Sequence, residues 1–342
     1  LGPQPQPVAE HRVKAGVKPG HERRPRLGRN PRMLARRQHP RIAHELLPHA
    51  ERDHDQGRFP ELLDQQPGEQ AARARLQWFL QGPIHRYVSG RNLPAQDGTS
   101  KLSPHVRFGT ISARTMVHAA LHTLSQGGQV SRADVLTWID ELVWREFFQQ
   151  VLTAFPHVAE GPFKAKPGLP PPRSAGPERD RLFVAWSQGQ TGYPIVDAGM
   201  RQLLATGWMH NRLRMVVAMF LSKNLLIDWR EGERWFMRHL IDGDLAANNG
   251  GWQWSASTGT DAVPYFRLFN PLSQSERFDP RGEFIRHWLP ELAGLERKAI
   301  HDPSSLGLFA GVDYPRPMVD LKASRERALA AFRNLPPRDG RA

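Results

Sequence analysis

The sequence predicts an all-α fold with long functional loops between its helices. Three observations lead there. Apolar residues recur at helical spacing from Glu69 onward, convincing alternating strands are absent, and hydroxyl caps and Gly/Pro stops bracket the periodic stretches. Ala72, Leu76 and Phe79 or Leu80 define a helix over Glu69–Gln81, which Gly82-Pro83 ends. Ser112 caps a helix running to about Leu124, and Ser131 caps another over Ala133–Ala154 that stops before Pro156. Leu169–Pro172 and Gly176-Pro177 mark a loop. Further helices follow over Arg179–Gln188, Pro194–Ala205, Trp208–Leu226 and Glu231–Ile241, and the last covers roughly Pro317–Asn334. The stretch Asp242–Pro271 breaks the pattern. It combines acids, paired asparagines, Gly-Gly and two near-neighbour tryptophans with little periodicity, so it reads as a binding loop on a scaffold. No internal repeat, GxGxxG or P-loop pattern occurs.

Residues 1–67 differ from the rest. Arg, Pro and His recur without periodicity, and Phe59 is their only aromatic residue. Such a segment buries too little apolar surface to offset its ordering entropy. It reads as a disordered tail or as out-of-frame translation of a GC-rich gene, with a basic nucleic-acid-binding arm as the functional alternative.

Bulk chemistry narrows the function classes. The 342 residues carry a formal net charge of +13, which favours a polyanionic partner such as nucleic acid. There is no cysteine, which excludes disulfides, thiolate zinc sites and cysteine nucleophiles and suits a cytoplasmic location. The N-terminus shows no secretory signal. The longest apolar run, Met215–Ile227, is interrupted by Ser222, Lys223 and Asn224 and is too short to span a bilayer. Asp242 and Asp244 are too sparse for a calcium loop, so an arginine partner is expected, with Arg214 the candidate. His118 and His122 lack a third metal ligand nearby, so no metal is expected. No nucleophile-elbow pattern supports a hydrolase.

Two helical faces carry unusual chemistry. In WIDELVWREFF, Trp138, Glu141, Arg145 and Phe148 fall on one face, flanked by Trp144. The plain alternative is an amphipathic helix with a Glu141–Arg145 surface pair. Two tryptophans beside an acid and a base, however, suit stacking and oriented hydrogen bonds to a base or flavin. In WMHNRLRM, Trp208, Asn211, Arg212 and Met215 share a stripe, and Arg214 points elsewhere. Asn can read a base edge and Arg can hold phosphate. The turn TSKLSP sets three hydroxyls beside main-chain N–H groups, which suits phosphate, although such turns are also common helix caps.

Seven motifs occur in order: TSKLSPHVRFG, WIDELVWREFF, TGYPIVDAGMRQL, GWMHNRLRM, LLIDWREGE, DGDLAANNGGWQW and FRLFNP. Together they resemble the FAD-binding domain of the DNA photolyase/cryptochrome family, closest to bacterial cyclobutane-pyrimidine-dimer photolyases. The resemblance covers about Gly68 to Leu335 and leaves 336–342 as a tail. It implies an all-α, multi-helix FAD-binding domain without the family's usual N-terminal α/β domain, and hence no antenna pigment. Tyr87, Thr99, Ser100, Lys101, Leu102 and Ser103 match the turn holding the FAD phosphates. Arg214 matches the arginine paired with Asp242 beside the flavin ring. Gly243 lies in the same motif, and Asp244 and Asn248 match groups bonding the ring, Asn248 near N5. Trp138, Glu141 and Arg145 match the helix lining the flavin and lesion cavity.

For the substrate, Glu141, Asn211, Arg212, Trp144, Trp254 and Met215 match contacts to a flipped dimer. Arg91, Arg212 and Arg267 match phosphate contacts. The implied activity is light-driven repair of pyrimidine dimers in UV-damaged DNA by electron transfer from reduced FAD, in a monomer that needs no membrane. Trp252 and Trp229 match the inner two of the family's three photoreduction tryptophans. Gly176 stands where the outer one belongs, which leaves Trp186 as another exit. Met215, Asn248, Glu141 and Trp254 favour repair over a cryptochrome-like photosensor, and His210 alone does not argue for a (6-4) enzyme. An inactive fragment is the third reading.

Overall fold

A computed structural model of the chain describes residues 66–126, 130–163, 172–260, 267–309 and 311–333. The expectations for residues 1–65, for Leu169–Pro171 of the loop and for the tail 336–342 lie outside them. Among the described residues the secondary structure is helical and no strand occurs. No helix among these residues is long and apolar enough to cross a membrane.

Where local chemistry is decisive, the elements start where the sequence places them. Helix α1 spans Glu69–Gln81 and buries Ala72, Leu76 and Phe79. After a 3-10 turn at Pro83–Arg86, the short helices α2 (Tyr87–Gly90) and α3 (Ser103–Arg107) flank the hydroxyl-rich turn. Helix α4 (Ala113–Ser125) begins with Ser112 Oγ accepting the Thr115 N–H at 3.1 Å. Helix α5 (Arg132–Ala154) begins with Ser131 Oγ accepting the Asp134 N–H at 3.1 Å. The Asp134 carboxylate in turn accepts the Ser131 hydroxyl at 2.6 Å and the Val88 N–H at 2.7 Å, which ties α5 to α2. A cap of this kind contributes about 1 kcal/mol.

Downstream, α6 spans Pro177–Ser187 and α7 Pro194–Thr206, each with proline in its first turn, where a missing N–H costs nothing. Asp197 of α7 is wholly buried and accepts from the Thr191 N–H and hydroxyl, the Gly192 N–H and the Tyr314 hydroxyl. The TGYPIVD motif is therefore an internal brace. Gly207 ends α7 in the left-handed conformation (φ 67°), its N–H on the Leu203 carbonyl at 2.9 Å.

That cap corrects the helix expected over Trp208–Leu226. The chain leaves α7 at Gly207, so α8 spans only Asn211–Met219, with His210 Nδ1 accepting the Arg212 N–H at 3.1 Å. Trp208 lies outside the helix, and the stripe holds only from Asn211 onward. A wide π turn at Phe220–Asn224 follows, where the Ser222 hydroxyl bonds back to the Ala218 carbonyl. Helix α9 spans Trp229–His239, earlier than expected because Asp228 caps it through the Arg230 N–H.

The Asp242–Pro271 stretch is not one long loop. Asp244 accepts the Ala247 N–H at 3.0 Å and starts helix α10 (Leu245–Ala256). Its asparagines and glycines disfavour helix locally, and tertiary packing overrides them. A Cβ on Gly250 would stand 2.1 Å from the Phe148 ring of α5, and one on Gly232 of α9 would stand 2.1 Å from the Trp252 ring. Both glycines are there so that aromatic rings can approach a helix backbone. Helices α11 (Pro271–Phe278) and α12 (Glu283–Trp288) have no counterpart among the expected elements, and α13 begins at Leu321 rather than Pro317 and runs to Arg333.

Among the described residues the buried apolar side chains form two clusters. A larger one gathers α6–α10 and α12 around Trp186, Met200, Phe220 and Trp252. A smaller one gathers α1, α2, α4 and the start of α5 around Phe79, Met116 and Trp138.

Candidate functional site

The Thr99–Ser103 turn is held from below. Arg75 donates to the carbonyls of Ser100 (3.0 Å) and Thr99 (3.3 Å) and pairs with Asp97 at 2.9 Å. Main-chain oxygens thus point to Arg75. Lys101 takes a positive φ of 50°, a strained conformation for a non-glycine residue. Its ammonium lies 3.2 Å from Asp97 and 5.6 Å from the Trp208 ring centroid, and Trp208 Nε1 donates to Ser103 Oγ at 3.4 Å. Leu102 is buried and anchors the turn in the smaller core. On α3, Arg107 Nε donates to the Gly243 carbonyl at 2.5 Å. Three motifs distant in sequence (TSKLSP, WMHNRLRM and DGD) therefore meet here.

At the DGD turn, Arg214 Nη2 reaches both carboxylate oxygens of Asp242 (3.1 and 2.8 Å), and its Nε donates to the Met209 carbonyl at 2.8 Å. The Asp242 side chain is 3% exposed, so this pair is charge-assisted and largely desolvated. Asp244 accepts both bonds of Gln149 Nε2 (3.0 and 2.9 Å) and lies 3.5 Å from Arg145. One turn into α10, Asn248 Nδ2 donates to the main-chain carbonyl of Glu233 at 3.0 Å and to its Oε1 at 3.3 Å.

Helix α5 corrects the expected face. Trp138 is buried and packs on Phe79 with ring centroids 5.0 Å apart, so it belongs to the smaller core rather than to an open stacking surface. The exposed tryptophan is Trp144, 52% accessible, edge-on to Phe147. Glu141 pairs not with Arg145 but with Arg91, at 2.5 Å. Burial raises the Glu141 pKa above the ordinary carboxylate value, opposed by Arg91. Tyr87 packs edge-on to Phe79 beneath Arg91, and its hydroxyl pKa is pushed up by burial and then by Glu141.

The start of α8 is cationic. Asn211 is exposed and Met215 half-buried, while Arg212 donates to Asn92 Oδ1 at 2.7 Å and lies 4.4 Å from the Phe278 ring centroid. Burial, then Arg91 and Arg277, lower the Arg212 pKa. His210 is 2% exposed. Burial and then the charges of Arg212, Arg214, Lys101 and Arg91 bring its pKa to about 3, so it is neutral at pH 7. Arg212 Nε and His210 Nε2 are buried polar atoms without a protein partner among the described residues. Arg267 lies 4.6 Å from the Trp254 ring centroid, and its carbonyl accepts from the buried Lys223 ammonium.

Among the photoreduction candidates, Trp229 and Trp252 are both buried. Trp252 touches Trp186 edge-on at 6.1 Å, and Phe183 continues from Trp186 at 5.7 Å and reaches Trp235 at 6.0 Å. Sequence reasoning missed Asn92, Gln149 and Glu233, the partners of Arg212, Asp244 and Asn248. Gln149 lies four residues after Arg145, a helical spacing that could have flagged it.

Residues 138–334 match the family model of the FAD binding domain of DNA photolyase. The deoxyribodipyrimidine photo-lyase of Salmonella typhimurium is 52% identical over 77% of this chain and 55% of its own length. That of Vibrio cholerae is 45% identical over 90% of this chain and 64% of its own length. Among solved structures, a bacterial class III photolyase from Agrobacterium tumefaciens superposes with a TM-score of 0.71 at 45% identity, over 78% of this chain and 56% of that one. A Synechocystis cryptochrome gives a TM-score of 0.71 at 38% identity over the same shares. The chain spans a little over half the length of most of the relatives it matches.

Proposed function

Since this chain belongs to the DNA photolyase family through its FAD-binding domain, we propose that it holds reduced FAD and repairs cyclobutane pyrimidine dimers in DNA with light. One observation carries the reading. The hydroxyl turn, the Arg214–Asp242 pair and the start of α10 are tied together by Trp208–Ser103 and Arg107–Gly243 contacts, and Arg145 of α5 reaches Asp244 at that same point.

The residues fit the cofactor's chemistry. Thr99, Ser100 and Ser103 offer hydroxyl donors, Lys101 a cation, and Tyr87 and Leu102 the frame for phosphates. The buried donors His210 Nε2 and Arg212 Nε lack protein partners beside them. Asp242, held by Arg214 at 2.8 Å, offers an acceptor to a ring N–H, with Gly243 beside it. Asp244, steadied by Gln149 and Arg145, and Asn248 offer further polar contacts to the ring edge. When bound and reduced, FAD supplies the light-absorbing centre and the electron that opens the cyclobutane ring.

The protein's part is recognition and positioning. Trp144 and Trp254 give flat apolar surfaces for bases out of the stack, and Met215 adds a polarizable contact. Glu141, held by Arg91, and Asn211 give directional hydrogen bonds to the dimer. Arg91, Arg212 and Arg267 neutralise phosphates without reading sequence, in keeping with the net charge of +13. Photolyases are among the enzymes that take their target base out of the duplex, and a damaged pair costs less to unstack. Buried Trp252 relays electrons for photoreduction toward Trp186, which it touches edge-on, and the family resemblance adds buried Trp229 as its other partner. The chain acts as a monomer.

The test is a thymine-dimer oligonucleotide incubated with FAD-loaded protein in light and dark. Monomeric thymines appearing only in light support the reading, and Glu141→Ala is expected to slow repair with FAD retained. The likeness to the Synechocystis cryptochrome supports a second reading, a photosensor without repair. A flavin that is photoreduced while the dimer persists would favour it.

A further inference from the structure

We propose that Arg75 of α1 is a positioning residue that turns the Thr99–Lys101 main chain so that two successive N–H groups face the FAD phosphates. This rests on the assignment of the Thr99–Ser103 turn to those phosphates.

The Arg75 side chain is held on all sides. It is 17% exposed, and its guanidinium carbon lies 3.8 Å from the ring centroid of Trp78, one helical turn further along α1. Nη1 and Nη2 fork onto the two carboxylate oxygens of Asp97, at 3.2 and 2.9 Å. Nε donates to the Ser100 carbonyl at 3.0 Å, and Nη2 also reaches the Thr99 carbonyl at 3.3 Å. A planar fork of fixed donors suits this mixed set of acceptors. No other donor among the described residues reaches either carbonyl.

The consequence follows from peptide geometry. The peptide bonds of the described residues are trans, and in a trans unit the C=O and the N–H point to opposite sides. The Thr99 carbonyl shares its unit with the Ser100 N–H, and the Ser100 carbonyl shares its unit with the Lys101 N–H. Drawing both carbonyls to Arg75 therefore turns both N–H groups away from it. Neither N–H meets a protein acceptor among the described residues. Successive unpaired N–H groups of a turn make an anion-binding concavity. Lys101, at φ 50°, holds a conformation that persists only where its surroundings over-determine it, and Arg75 and Asp97 supply those surroundings. Asp97 balances the Arg75 charge, so Arg75 acts on the phosphates through the main chain it orients.

The experiment is FAD binding to the full chain, followed by quenching of flavin fluorescence. Arg75→Met keeps an apolar stem against Trp78, leaves Asp97 its Lys101 partner and releases both carbonyls. It is expected to weaken FAD binding about tenfold, the size of one hydrogen bond to a charged group. That factor is expected to persist from about 0.05 M to about 1 M salt, a range over which bare charge attraction is screened. The visible circular dichroism of the FAD-saturated variant is expected to match the parent, because the ring end is untouched. In the parent chain, FAD uptake is expected to slow amide hydrogen exchange at Ser100 and Lys101 about tenfold. The exchange measurement needs no variant and serves if Arg75→Met does not fold. A parental affinity in Arg75→Met overturns the role, and a loss that vanishes in high salt assigns the effect to charge and overturns positioning. Altered flavin dichroism places the damage at the ring and overturns it as well, as does unchanged exchange at both N–H groups. A parent chain that takes up no FAD contradicts the underlying reading, a result distinct from all of these.

Discussion

Helices α5 and α10 meet at the candidate site in opposite conditions. On α10 the polar groups have protein partners: Asp244 has Gln149 and Arg145, Asn248 has Glu233, and Gln253 reaches the Val158 and Gly161 carbonyls and Asn249 Oδ1. On α5 the aromatics Trp144 and Phe147 stay exposed, at 52% and 38%. One wall is completed by folding. The other keeps apolar surface in water, which a folded chain tolerates where a partner covers it. Damage at α10 should therefore appear as lost stability, and damage at α5 as lost substrate binding.

The largest expected effect falls on the turn that leads into the completed wall. Asp242→Ala strips Arg214 of its buried carboxylate and should destabilise by about 3 kcal/mol, the low end for breaking a buried pair because Arg214 keeps the Met209 carbonyl. Urea unfolding measures this, and a loss under about 1 kcal/mol would show that solvent already screens the pair. Gly250→Ala comes next, with a cost of about 2 kcal/mol from pushing its Cβ into the Phe148 ring. An unchanged melting midpoint would mean that α5 and α10 can slide apart freely.

A third prediction uses pH. The folded-state pKa of His210, about 3, lies below its unfolded value, so the unfolded chain binds the extra proton between them. Stability is present above the unfolded value near 6.5 and falls as pH drops toward 3. Between about pH 7 and pH 5 the loss is on the order of 2 kcal/mol. His210→Asn keeps a capping side chain and should flatten that slope; parallel pH profiles would contradict the shift. The smallest stability effect belongs to α5. Trp144→Ala should leave unfolding within about 0.5 kcal/mol of the parent yet weaken binding to dimer-containing DNA about tenfold, in the range of lost base stacking. Equal loss in both measurements would erase the distinction between the walls.

The same contrast explains what was legible in the sequence. Helix caps are local, so Ser112 and Ser131 mark the starts of α4 and α5 without knowledge of the fold. The hydroxyl turn and the Arg214–Asp242 pairing follow from residue type and motif order. Helix α10 does not, because Gly250 and the paired asparagines argue against helix until Phe148 is known to lie on that glycine. Trp208 looks like the head of a helix because the αL cap at Gly207 that turns the chain away is a tertiary fact, braced by the Ile241 N–H. Glu141 pairs with Arg91 over its helical neighbour Arg145, which Asp244 holds. In each case a contact distant in sequence outweighs a local preference.

The most direct measurement is the visible absorption spectrum of the full chain after reconstitution with FAD, before and after blue light with a reductant. A protein-bound flavin band that bleaches in light, and that Asp242→Ala weakens, is the expected result. No bound flavin in the parent chain would contradict the account at its centre.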